Sequence, residues 1–110
     1  MPKRSSKGFA ALRREREKLL REMSEFQWLV RGTYLERFST CSRPNCACHR
    51  GRRHGPRSYV VVTREKRQRQ IYIPKKRVEA LRRGIAQYRR LLEIVDRITS
   101  IDLELMRGES

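Results

Sequence analysis

Apolar residues recur at helical spacing near the start of the chain. Leu12, Leu19 and Phe26 lie seven residues apart. A heptad period of this kind is typical of an amphipathic or coiled-coil helix. The pattern predicts a helix over residues 8–30, with Gly32 as its stop.

A second apolar stripe occupies the last third of the chain. Apolar residues step by three and four over 78–95 and, after a shift of one residue, over 98–105. This spacing predicts a long helix over residues 75–106. Gly84 lies inside it and weakens it locally, because glycine is a poor helix former.

The first predicted helix is shorter than the second, so it cannot cover all the apolar side chains at the end of the second stripe. Its side chains are Ile98, Ile101, Leu103 and Leu105. Two alternatives stay open for their cover: a second copy or a partner protein, or Phe9 and the first turn of the first helix.

The residues between the two helices change character twice. Residues 33–57 contain both histidines, prolines and glycines, and are predicted to be irregular. Residues 58–63 and 68–73 are rich in β-branched and aromatic side chains, which favour strands. The connection at 64–67 lacks Gly and Asn, so it does not define a turn type. Pro74 ends the second strand because it has no N–H to donate.

The irregular segment holds all three cysteines. Cys41, Cys46, Cys48 and His54 follow the spacing C-x4-C-x-C-x5-H. Three thiolates and one imidazole form a standard structural zinc set. An odd cysteine number in a chain without a secretory signal disfavours disulfides. His49 is the alternative fourth ligand, but it adjoins Cys48, and neighbouring residues rarely converge on one ion. The pattern predicts a closed Zn²⁺ site with no position for a catalytic water, and hence a protein that is not an enzyme.

Together these elements predict one α+β domain over residues 1–110. Two long helices pair antiparallel, and a zinc-bound loop and a two-stranded β-hairpin lie between them. No stretch approaches the roughly 20 apolar residues of a membrane span. The basic N-terminus is not followed by the apolar region of a signal peptide. A cytoplasmic protein is therefore expected.

The net charge of +16 is concentrated in the middle of the chain. Residues 31–77 carry fourteen Lys and Arg against two Asp and Glu, whereas residues 78–110 carry six of each. Of the 28 cations, 22 are Arg, whose planar guanidinium binds phosphate bidentately. Self-repulsion of this size is costly unless a polyanion neutralises it. Nucleic acid is the favoured partner, ahead of an acidic protein or a membrane surface.

The candidate nucleic-acid-binding cations surround the cysteines, follow the hairpin and begin the second helix. They are Arg50, Arg52, Arg53, Arg57, Arg64, Lys66, Arg67, Arg69, Lys75, Lys76 and Arg77. Cations at a helix N-terminus are unfavourable unless an anion binds there. Tyr59 and Tyr72 are candidates for base stacking, although packing against each other across the hairpin is the favoured interpretation. No motif for sequence-specific recognition is present. Backbone contacts to either DNA or RNA are therefore expected.

Several short segments of the chain follow one further pattern. They are Leu35-Glu36-Arg37-Phe38, the three cysteines, His54-Gly55-Pro56, Tyr59 and Tyr72-Ile73-Pro74. With these segments the chain resembles a family of small, uncharacterised prokaryotic proteins that carry a domain of unknown function and occur near transposon-like genes. The resemblance covers about residues 29–105 and implies the zinc set with His54. The chain departs from the family in its long basic first helix and at Arg57, where an aromatic residue is common. The resemblance implies no activity.

The combined pattern favours a non-enzymatic, zinc-stabilised, arginine-rich nucleic-acid-binding protein. It would act as an accessory subunit of a mobile-element or RNA-guided complex. The alternative is an adaptor that docks on a larger protein through the helical apolar stripe. Both alternatives are compatible with a chain that forms a homodimer.

Overall fold

A computed structural model of the chain describes residues 6–39, 51 and 54–108. Its elements are α1 (Ser6–Ser24), β1 (Thr33–Ser39), β2 (His54–Arg64), β3 (Arg67–Ile73), a 3₁₀ turn (Lys75–Arg77) and α2 (Val78–Gly108). The predicted mixture of helices and antiparallel strands is confirmed. Contacts group the chain into two compact units. We call residues 1–27 with 87–110 the helical unit, and residues 28–86 the sheet unit.

Helix α1 ends at Ser24, so the prediction that it continues to residue 30 is wrong. The Ser24 hydroxyl donates to the Arg21 carbonyl at 2.7 Å within the last turn. Val30, the last residue of the predicted helix, packs instead against the core of the sheet unit. Its N–H donates to the Gly84 carbonyl at 3.0 Å. The predicted helix was too long because Val30 is apolar and at helical spacing but packs in the core of the sheet unit.

Three arginine–carboxylate pairs join the two helices within the helical unit. They are Arg16 with Asp102, Glu15 with Arg97 and Glu22 with Arg90. The early residues of α1 pair with positions 97 and 102, whereas the late residue pairs with position 90. The two helices therefore run antiparallel, as predicted.

The helical unit buries Ile94 and Ile101 completely and leaves Leu12 8% exposed. The Phe9 ring lies against Gly108, where an added Cβ would meet the ring at 2.2 Å. Packing within the chain thus covers Ile101, one of the two alternatives for the terminal stripe, whereas Leu103 stays 55% exposed. No helix in the described part of the chain is long and apolar enough to cross a membrane.

The sheet has three antiparallel strands in the order β1-β2-β3. The prediction of a two-stranded hairpin is wrong because residues 33–39, expected to be irregular, form β1. The sequence of β1 contains Glu36 and Arg37 and shows no run of apolar residues. Its strand conformation depends on pairing with β2, where Leu35 lies opposite Tyr59.

Strands β2 and β3 are joined by a two-residue turn. Arg64 pairs with Arg67, and Glu65 and Lys66 have φ values of 50° and 64°. Positive φ at both central residues is the conformation that favours Asn-Gly in tight hairpins. The turn forms without those residues, and the local strain is of order 1 kcal/mol per residue. The pairing of the two strands offsets this strain.

Side chains paired across an antiparallel sheet point to the same face. One face, which we call the inner face, packs on the beginning of α2. Its core residues are Val60, Leu81 and Ile85, flanked by Val30, Tyr34, Val62 and Ile73. The opposite face, the outer face, carries the alternate residues of each strand.

Gly84 lies where the residues before β1 approach α2 closely in the sheet unit. A Cβ at this position would lie 2.7 Å from the Val30 Cγ2 and 3.1 Å from the Trp28 Cβ. The residue that was predicted to weaken the helix is therefore required for packing.

Replacing Gly84 with Ala is expected to destabilise the protein. The gain in helix propensity is about 1 kcal/mol, whereas overpacking costs about 1–3 kcal/mol and displaces the Val30 backbone bond. Gly8→Ala is the matched control, because nothing lies within 4 Å of a Cβ there. We expect urea unfolding to show a net loss for Gly84→Ala and no loss for Gly8→Ala. Equal gains for both would show that Trp28 and Val30 do not pack on the helix.

The helix–helix ion pairs lower the pKa of two carboxyl groups on α1. Hydrogen bonds from Arg97 and Arg90 are the largest causes that hold the pKa of Glu15 and Glu22 below the ordinary value of 4.5. A lowered pKa in the folded state stabilises the fold above the unfolded-state pKa. That contribution disappears as the pH falls through the folded-state pKa.

Glu22→Gln is expected to lower stability at neutral pH and to lose that effect as the pH falls through the lowered folded-state pKa of Glu22, where the wild-type carboxyl becomes protonated. Glu17→Gln makes the same charge change on α1, at a residue that forms no ion pair among the described residues. Unfolding free energies at several pH values check the difference. Parallel pH curves for wild type and Glu22→Gln would contradict it.

Candidate nucleic-acid interface

The two units differ sharply in charge. The sheet unit carries sixteen Lys and Arg against three Asp and Glu, a net charge of +13. The helical unit carries twelve against nine, a net charge of +3. In the helical unit, arginines are paired with carboxylates between helices. The excess charge of the protein therefore belongs to the sheet unit.

The structure describes eight of the eleven cations predicted to bind nucleic acid, and all eight are exposed. Arg57 lies within β2, Arg69 within β3, and Lys75–Arg77 form the 3₁₀ turn before α2. The remaining three of the eight, at the tip of the hairpin, are Arg64, Lys66 and Arg67. Three predicted residues lie outside the described part of the chain: Arg50, Arg52 and Arg53.

Two pairs of arginines lie directly opposite each other across the sheet. Arg37 on β1 pairs with Arg57 on β2, and Arg64 pairs with Arg67 beside the turn. Like charges placed opposite each other destabilise a sheet. Both pairs are therefore sites where a bound anion would relieve repulsion.

Arg37 was not among the residues predicted from the sequence to bind nucleic acid. It lies in β1, and nothing in the order of residues places it beside Arg57. The strand register alone brings the two together.

The described cations do not share one face of the sheet. Register places Arg37 and Arg57 on the outer face, because each alternates with the core residues of its strand. Arg69 lies opposite Val62 on the inner face, beyond the residues that pack on α2. The hairpin tip and the outer face thus form separate basic regions.

The eight described candidate cations of the sheet unit are not neutralised from within the described part of the chain. No ion pair between described residues involves any of the eight predicted cations. Arg83, on α2, contacts Glu79 at 3.6 Å in an exposed i,i+4 pair. Such pairs contribute little to stability. The positive potential of the unit therefore stays available to a partner.

The 3₁₀ turn at Lys75–Arg77 begins the helical segment where a helix from residue 75 was predicted. Pro74 precedes it, and the Arg77 N–H donates to the Pro74 carbonyl at 2.8 Å. The turn contains no acidic residue, and Val78 begins α2 proper. The cations predicted to oppose the helix dipole lie one turn ahead of α2.

A groove of about 610 Å³ lies at the end of the sheet beside this turn. The Tyr34 hydroxyl donates to Glu36 at 2.7 Å and lies 3.0 Å from the Ser58 hydroxyl. The Arg82 guanidinium lies 4.5 Å from the centre of the Tyr34 ring, a cation–π contact. These contacts join Tyr34 to Glu36, Ser58 and Arg82, and they include one of the unit's three carboxylates.

The predicted zinc ligands Cys41, Cys46 and Cys48 lie outside the described residues, as does His49. His54 is the first residue of β2, and its backbone pairs with Ser39 at the end of β1. Within residues 6–39, 51 and 54–108, no cluster of three or more His, Cys, Asp or Glu is arranged to hold a metal. The zinc site therefore stays a prediction.

The two tyrosines of the hairpin pack against each other, as the favoured interpretation predicted. Tyr59 and Tyr72 are register partners, and their ring centres lie 5.9 Å apart at 68°, an edge-to-face arrangement. Tyr72 remains 56% exposed, whereas Tyr59 is half-buried. The pair leaves much of one aromatic ring open to solvent.

Comparison with known proteins assigns the chain to a family. It belongs to the family described as Domain of unknown function (DUF6788), whose pattern matches residues 9–83. The match starts within α1 and includes all three strands. The first helix, taken from sequence as a departure from the family, is thus largely inside the matched region. No curated protein and no solved structure matches the chain.

Proposed function

We propose that the chain is a non-enzymatic nucleic-acid-binding protein whose sheet unit contacts phosphate groups. The observation that carries the proposal is the net charge of +13 on this unit, together with the absence of ion pairs from its eight described candidate cations. Arginine supplies most of this charge and suits bidentate phosphate contacts.

Binding of this kind depends on the release of condensed counterions from nucleic acid. Each phosphate that a cation neutralises adds about 0.7–0.9 to the slope of log affinity against log salt. Contacts to phosphate carry no sequence information. The protein would accordingly bind many sequences with a steep dependence on salt.

We include in the proposal a structural Zn²⁺ held by Cys41, Cys46, Cys48 and His54. The donor set suits zinc. The pairing of Ser39 with His54 supports it, because it holds the two ends of the cysteine-containing segment beside each other. Metal binding would order the arginines of this segment next to the sheet.

The sequence resemblance supports a cellular context for this binding. The protein would serve as an accessory subunit of a mobile-element or RNA-guided complex, where a small basic module steadies nucleic acid held by a larger partner. A cytoplasmic location fits this role.

A second candidate function is a protein–protein adaptor, and one observation on α2 favours it. Four apolar side chains of the helix stay exposed: Leu92 (49%), Val95 (48%), Leu103 (55%) and Met106 (71%). Their spacing of three to eight residues places them along one stripe of the helix. Leu92 and Val95 were predicted to belong to the packed stripe, but Ile94 is buried instead.

The zinc set predicts a difference between the two histidines. His54→Ala is expected to abolish stoichiometric zinc, because three thiolates alone leave the tetrahedron open. His49→Ala is the matched control and is expected to retain one zinc per chain. Elemental analysis of the purified proteins measures both. Zinc loss on His49→Ala alone would reverse the ligand choice, and zinc-free wild type with three reactive thiols would refute the site.

Phosphate binding by the sheet unit predicts a salt slope that specific cations control. Replacing Lys75, Lys76 and Arg77 with Gln is expected to reduce the slope by about 2 for single-stranded probes. A control with the same charge change replaces Arg14, Lys18 and Arg21 on α1 and should leave the slope nearly unchanged. Fluorescence anisotropy from low to moderate salt measures both.

Two outcomes would count against nucleic-acid binding. A wild-type protein that binds neither DNA nor RNA would refute the proposal. A stoichiometric protein partner retained after nuclease treatment, and lost when Leu103 and Met106 are changed to Gln, would favour the adaptor.

A further inference from the structure

The outer face of the sheet carries no acidic residue among its described positions. Its side chains are those of Thr33, Leu35, Arg37, Arg57, Tyr59, Val61, Thr63, Gln68, Gln70 and Tyr72. The three carboxylates of the unit lie elsewhere: Glu36 on the inner face, Glu65 in the turn and Glu79 on α2. Glu36 and Glu79 line the groove at the end of the sheet together with Arg57 and Tyr72. A polyanion that crosses the outer face would therefore approach these carboxylates at the groove, and would meet none at the described positions of the face itself.

The centre of the outer face is apolar and aromatic. Tyr72 is 56% exposed, and Tyr59 meets its ring edge-to-face. Leu35 pairs with Tyr59 on the other side. This row spans all three strands, and Tyr59 fixes the orientation of the exposed ring. An aromatic ring held in this way presents a flat surface for a planar ligand.

The cationic end of the outer face begins at the next register pair on that face after Leu35 and Tyr59. Arg37 and Arg57 are opposite each other, both exposed, and two residues from Leu35 and Tyr59 along their own strands. The repulsion between the two guanidinium groups is uncompensated on this face. A phosphate between them would remove it.

We propose that the outer face binds single-stranded nucleic acid. Unpaired bases stack on Tyr72 and Tyr59, and phosphates contact Arg37 and Arg57. Stacking on a protein ring requires a base whose faces are open, which selects single strands over duplexes. The inference rests on the proposed function and adds to it the strand class and the surface.

The test uses the full chain and fluorescein-labelled dT and rU oligomers of about 12 nucleotides, with a duplex of equal length. Tyr72→Ala is expected to weaken single-strand binding about tenfold, since stacking on an aromatic ring contributes roughly 1–3 kcal/mol per base. Tyr72→Phe should bind within about twofold of wild type. Ile71→Ala is the matched control on the same strand, because Ile71 lies on the inner face and is 42% exposed.

Two arginine variants separate local contact from net charge. Arg57→Gln and Arg69→Gln remove one charge each from exposed sites on opposite faces. The proposal expects the larger loss of single-strand affinity for Arg57→Gln, whereas a purely long-range attraction predicts equal losses. If Tyr72→Ala fails to fold, Tyr72→Leu keeps an apolar strand residue and still removes stacking.

The outcomes distinguish this inference from the broader proposal. Wild-type binding with equal effects of Tyr72→Ala and Ile71→Ala, or tighter binding to the duplex than to either oligomer, overturns the outer-face site alone. Absence of all binding by wild type overturns the proposed function as well.

Discussion

Strand β2 is the element on which the sheet unit depends. It pairs with β1 on one side and β3 on the other, and its residue Val60 is only 5% exposed in the core. Because paired residues share a face, this one strand decides which side chains enter the core and which form the outer face. The same pairing places Arg37 against Arg57 and Tyr59 against Tyr72. It also brings the two ends of the cysteine-containing segment together.

The two units treat charge in opposite ways. The helical unit pairs carboxylates of one helix with arginines of the other, at 2.6 Å for Arg90 and Glu22. The sheet unit keeps three acids among sixteen cations, and it places arginines opposite arginines twice. Under the proposed function, a bound phosphate would relieve this repulsion. The exposed stripe of α2 that contains Leu92 and Met106 is apolar, in contrast to the basic surface of the sheet unit.

Sequence patterns predicted an element correctly where the apolar residues of that element all pack in one core. The strands at 58–63 and 68–73 were predicted because β-branched and aromatic residues are concentrated there. Strand β3 begins only one residue earlier than predicted, whereas β2 begins at His54, within the segment expected to be irregular. The long second helix was predicted from spacing, although α2 starts at Val78 and its buried residues include Ile94, outside the expected stripe. The predicted end of α1 was too late because Val30 is at helical spacing in the sequence but packs in the core of the sheet unit. Strand β1 was not predicted because its charged residues interrupt the apolar pattern by which a strand is recognised in the sequence.

The sequence by itself determined the α+β composition, the excess of arginine in the middle of the chain, and the cysteine and histidine spacing that suits zinc. These are properties of residue type and order. Only the tertiary structure decided that Gly84 is a packing position, that Arg37 stands opposite Arg57, and that Tyr72 lies exposed on a face free of carboxylates. Those facts depend on strand register and helix contact, which join residues far apart in the chain, such as Tyr59 with Tyr72 and Val30 with Gly84. No local pattern of side chains contains that information.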